Sequence, residues 1–290
     1  MTQNPGAPDL KREDYVKSPS DNLPARVVGD WSKDKHYYLK RYIEIFELGV
    51  HKKWASRAYI DLFAGPGMCM LRESGQFTDG SPLIALKVTP PFTQYFFSDL
   101  DPTAVAALDK RCEPFRDRAR ITIFPKDYDA AASDIAAKID SKTICLAFLD
   151  PTGLDLKFGA LKRLTTGKNM DLIINFSYGM DMKRNIETYS RQDQSKMDDF
   201  FDGDKWRLIY ERNLKNPNKL TDDLLGLYRA KLAGIGYKME PDQAVAIKNS
   251  RNVQMYALLF ASKHPTGNRF WKKIKQIESN KQRGLPFGEA

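Results

Sequence analysis

Short apolar runs alternate with longer amphipathic segments over the middle of the chain. Runs rich in β-branched and aromatic residues predict five successive strands, at 59–61, 95–99, 121–124, 143–149 and 171–176. Apolar residues at helical spacing predict helices at 35–47, 81–87, 101–112, 130–139 and 158–164. Strands that alternate with helices in this way predict an α/β fold with a doubly wound, mostly parallel sheet and right-handed crossovers.

The pattern changes at both ends of the chain and after the fifth strand. Residues 1–29 contain four prolines and few apolar residues, which predicts a flexible N-terminal arm. Residues 30–179 would form the core, in which 68–80 would be a long polar connection. A mostly helical insertion is expected at 180–240, and 241–290 would add a final core strand, at 254–261, and a basic C-terminal helix.

The composition is that of a globular protein, with 42% hydrophobic and 29% charged residues. No run approaches the ~18 apolar residues that a membrane span needs, and the polar N-terminus does not resemble a secretory signal. The three cysteines, Cys69, Cys112 and Cys145, are widely spaced and fit neither a disulfide framework nor a zinc site. We therefore expect a reduced, cytoplasmic protein that has no membrane contact and no metal site.

The charge balance points to a polyanionic partner. Lysine and arginine number 46 against 37 aspartates and glutamates, which gives a net charge of +9 and makes nucleic acid a candidate. Part of the excess lies near the C-terminus, where Lys263, Arg269, Lys272 and Lys273 are candidate substrate contacts. A basic segment of this kind is also typical of a solvated helix face, so charge alone does not identify the substrate.

Acidic residues stand at the ends of successive predicted strands, and the first is followed by a glycine-rich turn. This turn includes Phe63, Ala64, Gly65 and Gly67, and its glycines would let the backbone approach a ligand closely. A dinucleotide site would need a third glycine and a closer second acid, and a P-loop would need GxxxxGK[ST], which the sequence lacks.

S-adenosylmethionine (SAM) fits this pattern because its sulfonium and ammonium groups are cationic. Asp61, which precedes the turn, would face the methionine end of SAM. Asp99, followed by Leu100, would bind the ribose hydroxyls, and Asp127, followed by Tyr128, would bind the adenine amino group. Taken alone, Asp127 is more typical of a helix N-cap.

The order of these motifs resembles that of a known family. The segments are 61–67 (DLFAGPG), 97–101 (FSDLD), 148–153 (FLDPTG) and 259–265 (LFASKHP), followed by Trp271. They are similar to those of the three-Cys-motif partner (TcmP) family. The resemblance implies a class I methyltransferase-like, Rossmann-like fold, SAM as cofactor and a separate partner protein that carries three cysteines. The cysteines of this chain are not that motif.

The turn after the fourth strand is the candidate catalytic element. Amino-methyltransferases of nucleic acids carry an Asp-Pro-Pro-aromatic turn, in which the carboxylate orients an exocyclic amine and the aromatic ring stacks on a base. Here Asp150 and Pro151 match, and Asp150 would also border the cofactor, whereas Thr152 and Gly153 depart from the pattern. An ordinary turn closing a buried strand is the alternative.

Further candidate site residues are expected at the same edge of the sheet. Asn175, at the end of the fifth strand, is a further candidate catalytic residue, and Thr152 a substrate contact. Stacking would have to come from Phe158 or Tyr178, because no aromatic residue follows the Asp-Pro pair.

The leading hypothesis is a SAM-dependent methyltransferase that acts on an amino group of a nucleic acid. A protein or a small molecule is an alternative acceptor. A hypothesis of a different class is a SAM-binding accessory subunit with little activity of its own, which the incomplete Asp-Pro turn favours.

Overall fold

Seven strands form the central sheet of the computed structural model, which describes residues 15–240 and 243–283. The strands are β1 (Tyr15–Lys17), β2 (Pro24–Val28), β3 (Ser56–Asp61), β4 (Met68–Leu71), β5 (Phe77–Asp79), β6 (Gln94–Asp99), β7 (Arg120–Pro125), β8 (Thr143–Leu149), β9 (Asn169–Phe176), β10 (Val245–Lys248) and β11 (Gln254–Ala261). The α-helices are α1 (Ser32–Val50), α2 (Ser81–Leu86), α3 (Pro102–Cys112), α4 (Tyr128–Lys138), α5 (Phe158–Thr165), α6 (Lys183–Ser190), α7 (Lys196–Phe201), α8 (Lys205–Arg212), α9 (Pro217–Gly234) and α10 (Pro265–Arg283).

The central sheet has the strand order β10-β11-β9-β8-β3-β6-β7. Strands β3, β6, β7, β8 and β9 are parallel, whereas β11 runs antiparallel to both β9 and β10. The chain builds outward from β3 through β6 to β7 and then returns to β8 on the other side. The predicted doubly wound, mostly parallel sheet is thereby confirmed. Its switch point lies between β3 and β8, where such sheets bind ligands beyond the strands' carboxyl ends.

Apolar faces on both sides of the sheet explain why these segments form these elements. Strand β8 is buried along almost its whole length, as expected for a central parallel strand. On one side, α1 buries Leu39, Tyr42 and Phe46, and Tyr42 packs 4.6 Å from the ring of Phe260 in β11. On the other side the core is formed with α4, α5 and the helices that follow β9.

The helices α6 to α9 form the predicted helical insertion after the fifth parallel strand. Its aromatic residues continue the core of the sheet, since the ring of Tyr228 stacks on Phe200 at 4.7 Å and lies 5.6 Å from Phe176 of β9. The insertion is therefore packed on the sheet and is an integral part of its hydrophobic core.

The structure differs from the sequence-based expectation at the N-terminus. Strands β1 and β2 pair with β4 and β5 in a second, four-stranded sheet, so residues 15–28 are not a flexible arm and 68–80 is not simply a polar connection. Arg111 of α3 fixes this sheet, since its guanidinium contacts Asp21 at 2.8 Å and the carbonyl oxygen of Pro24 at 2.7 Å. These short strands depend on distant partners, which local patterns do not reveal. Residues 1–14 of the predicted arm lie outside the described residues.

Within residues 15–240 and 243–283, no helix combines the length and apolar character of a membrane-crossing segment. In the same part of the chain, the histidines, cysteines and acidic residues do not assemble into a group of three or more that could hold a metal ion.

Candidate functional site

A cavity of about 340 Å³ lies at the carboxyl ends of β3 and β8, between the central sheet and the four-stranded sheet. It is therefore at the switch point of the fold. Its walls come from the glycine turn, the four-stranded sheet, the first turns of α1 and α2, and the turn after β8. The lining residues are Tyr15, Arg26, Val28, Ser32, Lys35, His36, Phe63, Ala64, Gly65, Pro66, Gly67, Cys69, Gly80, Ser81, Asp101, Asp150 and Thr152.

Backbone conformation explains the two glycines of the turn. Gly65 has φ +62° and Gly67 has φ +85°, a region in which side chains are unfavourable. The amide of Gly65 donates to Asp99 Oδ2 at 2.8 Å, so the end of β6 holds the turn in place. A Cβ atom at Gly67 would lie 3.1 Å from Leu108 Cδ1. The glycine turn is thus packed closely against α3.

Asp61 is fully buried at the end of β3, at the base of the glycine turn. Its Oδ1 accepts from the Phe63 amide at 3.1 Å, whereas Oδ2 has no hydrogen-bond partner among the described residues. Burial raises the pKa of Asp61 to about 7, although the neighbouring Ser81 hydroxyl and the Phe63 amide oppose the rise. The nearby carboxylates of Asp150 and Asp99 add to it. A cationic ligand at this position would satisfy the buried carboxylate.

The four-stranded sheet supplies groups on the side of Asp99. Arg26 Nη2 lies 3.7 Å from Asp99 Oδ2 and donates to the Tyr15 hydroxyl at 3.0 Å. That hydroxyl donates to Asp101 Oδ2 at 2.6 Å, and Asp101 also caps α3 through the Thr103 amide. Sequence reasoning missed Tyr15 and Arg26, because nothing local connects them to β6.

Leu100 follows the end of β6, and the residues predicted to contact adenine, Asp127 and Tyr128, follow the end of β7. Leu100 is 70% exposed directly after Asp99. Asp127 caps α4, accepting from the amide of Asp129 at 2.8 Å, and is not among the residues that line the cavity. The ring of Tyr128 packs 5.1 Å from that of Phe63, which does line it. An adenine contact by Asp127 stays a prediction.

Asp150 lies within a cluster of polar side chains. Lys35 Nζ donates to Asp150 Oδ2, and Asn175 Nδ2 donates to Oδ1 at 2.7 Å. Lys35 is only 6% exposed, and its ammonium lies 5.7 Å from the ring centre of Tyr256. The structure thus brings together Asp150 and Asn175, as the sequence suggested, and adds a buried lysine.

The position of Lys35 in the sequence could have indicated that it is buried. It shares one helix face with Leu39, Tyr42 and Phe46, which all pack into the core. A lysine within an apolar stripe of this kind must find a partner for its charge. The next residue, His36, also lines the cavity, and burial, followed by the charge of Lys35, lowers its pKa to about 3. Its buried Nδ1 has no hydrogen-bond partner among the described residues.

The conformation of the turn after β8 explains why Gly153 stands where the Asp-Pro-Pro-aromatic turn has an aromatic residue. Gly153 has φ +74°, and a Cβ atom there would collide with Asp181 Oδ2. Asp181 closes the turn by accepting from the Leu154 amide at 3.0 Å, and it also accepts from Asn185 and Tyr189 at 2.8 Å. An aromatic residue cannot occupy this position in the observed conformation.

Replacing Gly153 with alanine should lower the free energy of unfolding by about 1–3 kcal/mol, because the new side chain meets both a positive φ and Asp181. Urea unfolding followed by circular dichroism measures the change. Gly159→Ala is the matched control, since Gly159 is helical and its Cβ would be 3.5 Å from Arg163. Equal stabilities of the two variants would contradict the strain.

The two aromatic candidates for stacking lie in the core. Phe158 is 2% exposed, with its ring edge-on to Tyr228 at 5.9 Å. Tyr178 is 7% exposed, and its hydroxyl donates to the carbonyl oxygen of Pro217 at 3.3 Å. Neither ring lines the cavity, because packing with the helical insertion takes up both. Thr152, by contrast, lines it as predicted.

The basic residues of the C-terminal segment that were predicted to contact the substrate do not line the cavity. Lys263 follows β11 at the opposite edge of the sheet and donates to the carbonyl oxygens of Thr165 and Lys168. Arg269, Lys272 and Lys273 are exposed on α10. Lys263 therefore has a structural role in this edge, which its position in a charge-rich segment did not indicate.

No protein-family model matches the chain, and no curated protein matches its sequence. The chain is similar to several solved structures. Protein LPL1258 of Legionella pneumophila has 12% identity and a TM-score of 0.47, with 81% of this chain and 85% of that chain covered. M. jannaschii TYW2 in complex with AdoMet has 9% identity and a TM-score of 0.42, with 87% of each chain covered. A geranyl diphosphate methyltransferase in complex with GPP and sinefungin has 9% identity and a TM-score of 0.41, with 80% and 77% covered. Identities of 9 to 12% do not identify which residues of this chain act.

Proposed function

We propose that the protein binds SAM in the cavity at the switch point and transfers its methyl group to an acceptor amine. The observation that carries this proposal is Asp61, a buried carboxylate with an unbonded oxygen at the base of the glycine turn. The methionine end of SAM carries an ammonium and a carboxylate. Asp61, buried beneath the glycine turn that lines the cavity, suits the ammonium, and Arg26 and Lys35, which line the cavity itself, suit the carboxylate.

A dinucleotide suits this cavity less well. Its pyrophosphate would approach the buried carboxylate of Asp61, and two anions held close together repel each other. The positions of Asp99 and Asp101 fit the ribose of SAM, since both carboxylates lie beside the glycine turn. Exposed Leu100 and the pair of Phe63 and Tyr128 would border the adenine.

The acceptor amine would bind at Asp150. When bound, SAM supplies an activated methyl group and leaves as S-adenosylhomocysteine. Asp150 would accept a hydrogen bond from the acceptor amine and orient its lone pair, and the proton that the nitrogen loses would pass to this carboxylate or to solvent. Asn175 holds Asp150 Oδ1 at 2.7 Å, so it positions the carboxylate.

A nucleic acid is the acceptor that the chain favours. The net charge of +9 suits a polyanion, and Asp150 and Pro151 match the turn that orients exocyclic amines of bases. Association through lysine and arginine would weaken steeply as salt is added, because bound phosphates release counterions. Binding that does not change with salt would favour a protein or a small molecule.

Replacing Asp99 with alanine should weaken SAM binding about 10- to 100-fold, because the ribose would lose charged hydrogen bonds and Gly65 its anchor. Calorimetric titration with SAM and S-adenosylhomocysteine measures this. Asp109→Ala, at an exposed ion pair on α3, is the matched control and should bind like the wild type. Equal affinities of all three proteins would contradict the ribose assignment.

Transfer itself is tested with methyl-labelled SAM and separate pools of tRNA, rRNA, DNA and protein. Label should enter one nucleic-acid pool, and Asp150→Ala should remove it while SAM binding persists. Label transfer that Asp150→Ala leaves unchanged would rule out the turn as the catalytic element.

A second candidate is a SAM-binding accessory subunit with little activity of its own. One observation favours it, since Asp150 already contacts the ammonium of Lys35. The two candidate stacking rings are also buried. On this hypothesis SAM binds, yet no pool is labelled until a partner is added, and the three-cysteine protein implied by the family resemblance is the partner to try.

A further inference from the structure

A groove of about 450 Å³ lies between the first turns of α1 and the strand β10. Lysine and tyrosine side chains of α1 form one wall, and β10 forms the other. The lining residues are Lys33, Asp34, Tyr37, Tyr38, Val245, Ala246 and Ile247.

The groove is a direct neighbour of the candidate active site. Two adjoining faces of α1 separate them, since Lys35 reaches the cavity and Lys33 and Tyr37 line the groove. On the other wall, Ile247 pairs with Tyr256, whose ring lies 5.7 Å from the Lys35 ammonium. Along this wall, the side chains of Tyr256 and Lys35 lie between the groove and Asp150.

The tip of the β10–β11 hairpin extends the groove with positive charge. Because β11 runs antiparallel to β9 and Ala257 is paired with Phe176, the tip at 249–253 projects at the edge that carries Asp150. Lys248 and Arg251 are exposed, and neither forms an ion pair with another described residue. Val253 at the tip is 55% exposed.

We infer that this groove and the hairpin tip bind a single-stranded nucleic acid and present it to Asp150. The inference rests on the proposed function and assigns the substrate surface of that site. Lysine and arginine beside tyrosine rings form the usual platform for an unpaired strand, since phosphates need cations and bases stack on aromatic rings. Tyr37 lines the groove and not the cavity, so it would stack on a base that neighbours the acceptor base in the strand.

The charges in the groove are compatible with this occupant. Lys33 contacts Asp30 at 3.5 Å, but this pair is largely exposed and therefore weak in water. Asp34 is the acidic residue among those that line the groove. Lys33, Lys248 and Arg251 outnumber Asp30 and Asp34, so the surface has a net positive charge at the edge of the active site.

The test is fluorescence anisotropy with a labelled 12-nucleotide RNA of mixed sequence, as a single strand and as a duplex. Lys248→Glu/Arg251→Glu should weaken single-strand binding at least ~10-fold and flatten its salt dependence. Tyr37→Ala should weaken it about 5- to 100-fold through loss of stacking. The matched control is Lys138→Glu/Lys142→Glu, with the same charge change at exposed positions of the opposite edge, which should bind nearly as the wild type.

Three outcomes would overturn the inference. They are equal losses in the hairpin-tip variant and the control, a loss confined to Lys272→Glu/Lys273→Glu on α10, and duplex binding as tight as single-strand binding. Calorimetry with SAM on the same proteins distinguishes a failure of this inference from a failure of the proposed function. If the wild type binds SAM but no RNA, only the inference fails, whereas absence of SAM binding refutes the proposed function.

Discussion

Asp61→Asn should stabilise the ligand-free protein above pH 7 and weaken SAM binding at the same time. Burial raises the pKa of Asp61 from 3.8 to about 7 in the folded state. The unfolded chain therefore loses this proton first, and folding stability falls as the pH rises from about 4 to about 7. Above pH 7 the full cost of the buried charge is present, on the order of 4 kcal/mol at most. Asparagine removes this charge and keeps the oxygen that accepts from Phe63.

Urea unfolding at pH 5 and pH 8 should show a larger stabilisation by Asp61→Asn at pH 8. Calorimetry at pH 8 should show at least ~10-fold weaker SAM binding, because the ammonium loses its anion. Asp109→Asn, at an exposed ion pair, should change neither quantity by much. A variant that binds SAM as well as the wild type would remove Asp61 from the cofactor site, whatever its stability.

Opposite effects on stability and on ligand binding are expected where a buried carboxylate is unpaired in the free protein and pairs with a cationic ligand. The fold holds Asp61 at the base of a turn whose glycines expose backbone, and no described side chain neutralises its Oδ2. Structural carboxylates of this chain are arranged differently. Glu47, for example, is also fully buried and has an unbonded Oε1, yet its Oε2 accepts from Arg57 at 2.9 Å, so a cation of the protein already pairs with its charge.

The sheet and its ligand edge were predictable because their signals are local. Asp61, Gly65 and Gly67 occur within a few residues of a strand end, and Asp99 and Asp150 each follow a run of apolar residues. In a parallel sheet such strand ends meet at one edge, whatever the rest of the chain does. The strand order then placed Asp61 and Asp150 on neighbouring strands.

The rest of the site depends on contacts between distant segments. Tyr15 and Arg26 reach the acids of β6 only because β2 pairs with β4, and neither strand has more than five residues. Phe158 and Tyr178 have the aromatic rings that a stacking role requires, but packing against the insertion buries them. A sequence pattern states which residue types are present and does not state which of them the tertiary fold covers.

Lys35→Met should lower the free energy of unfolding by about 3–5 kcal/mol at pH 7. The side chains of Lys35 and Asp150 are only 7% and 18% exposed, so removal of the ammonium takes away a buried opposite charge from the carboxylate. Lys33→Met, two residues earlier and exposed, is the matched control and should cost less than about 0.5 kcal/mol.

The double variant Lys35→Met/Asp150→Asn separates stability from chemistry. Because it removes both charges, it should recover most of the free energy of unfolding that Lys35→Met alone loses. It should not recover methyl transfer, since the amide of asparagine cannot take the proton of the acceptor amine. A double variant that is as unstable as Lys35→Met would show that Lys35 acts through its packing, beneath Tyr256, instead of through its charge on Asp150.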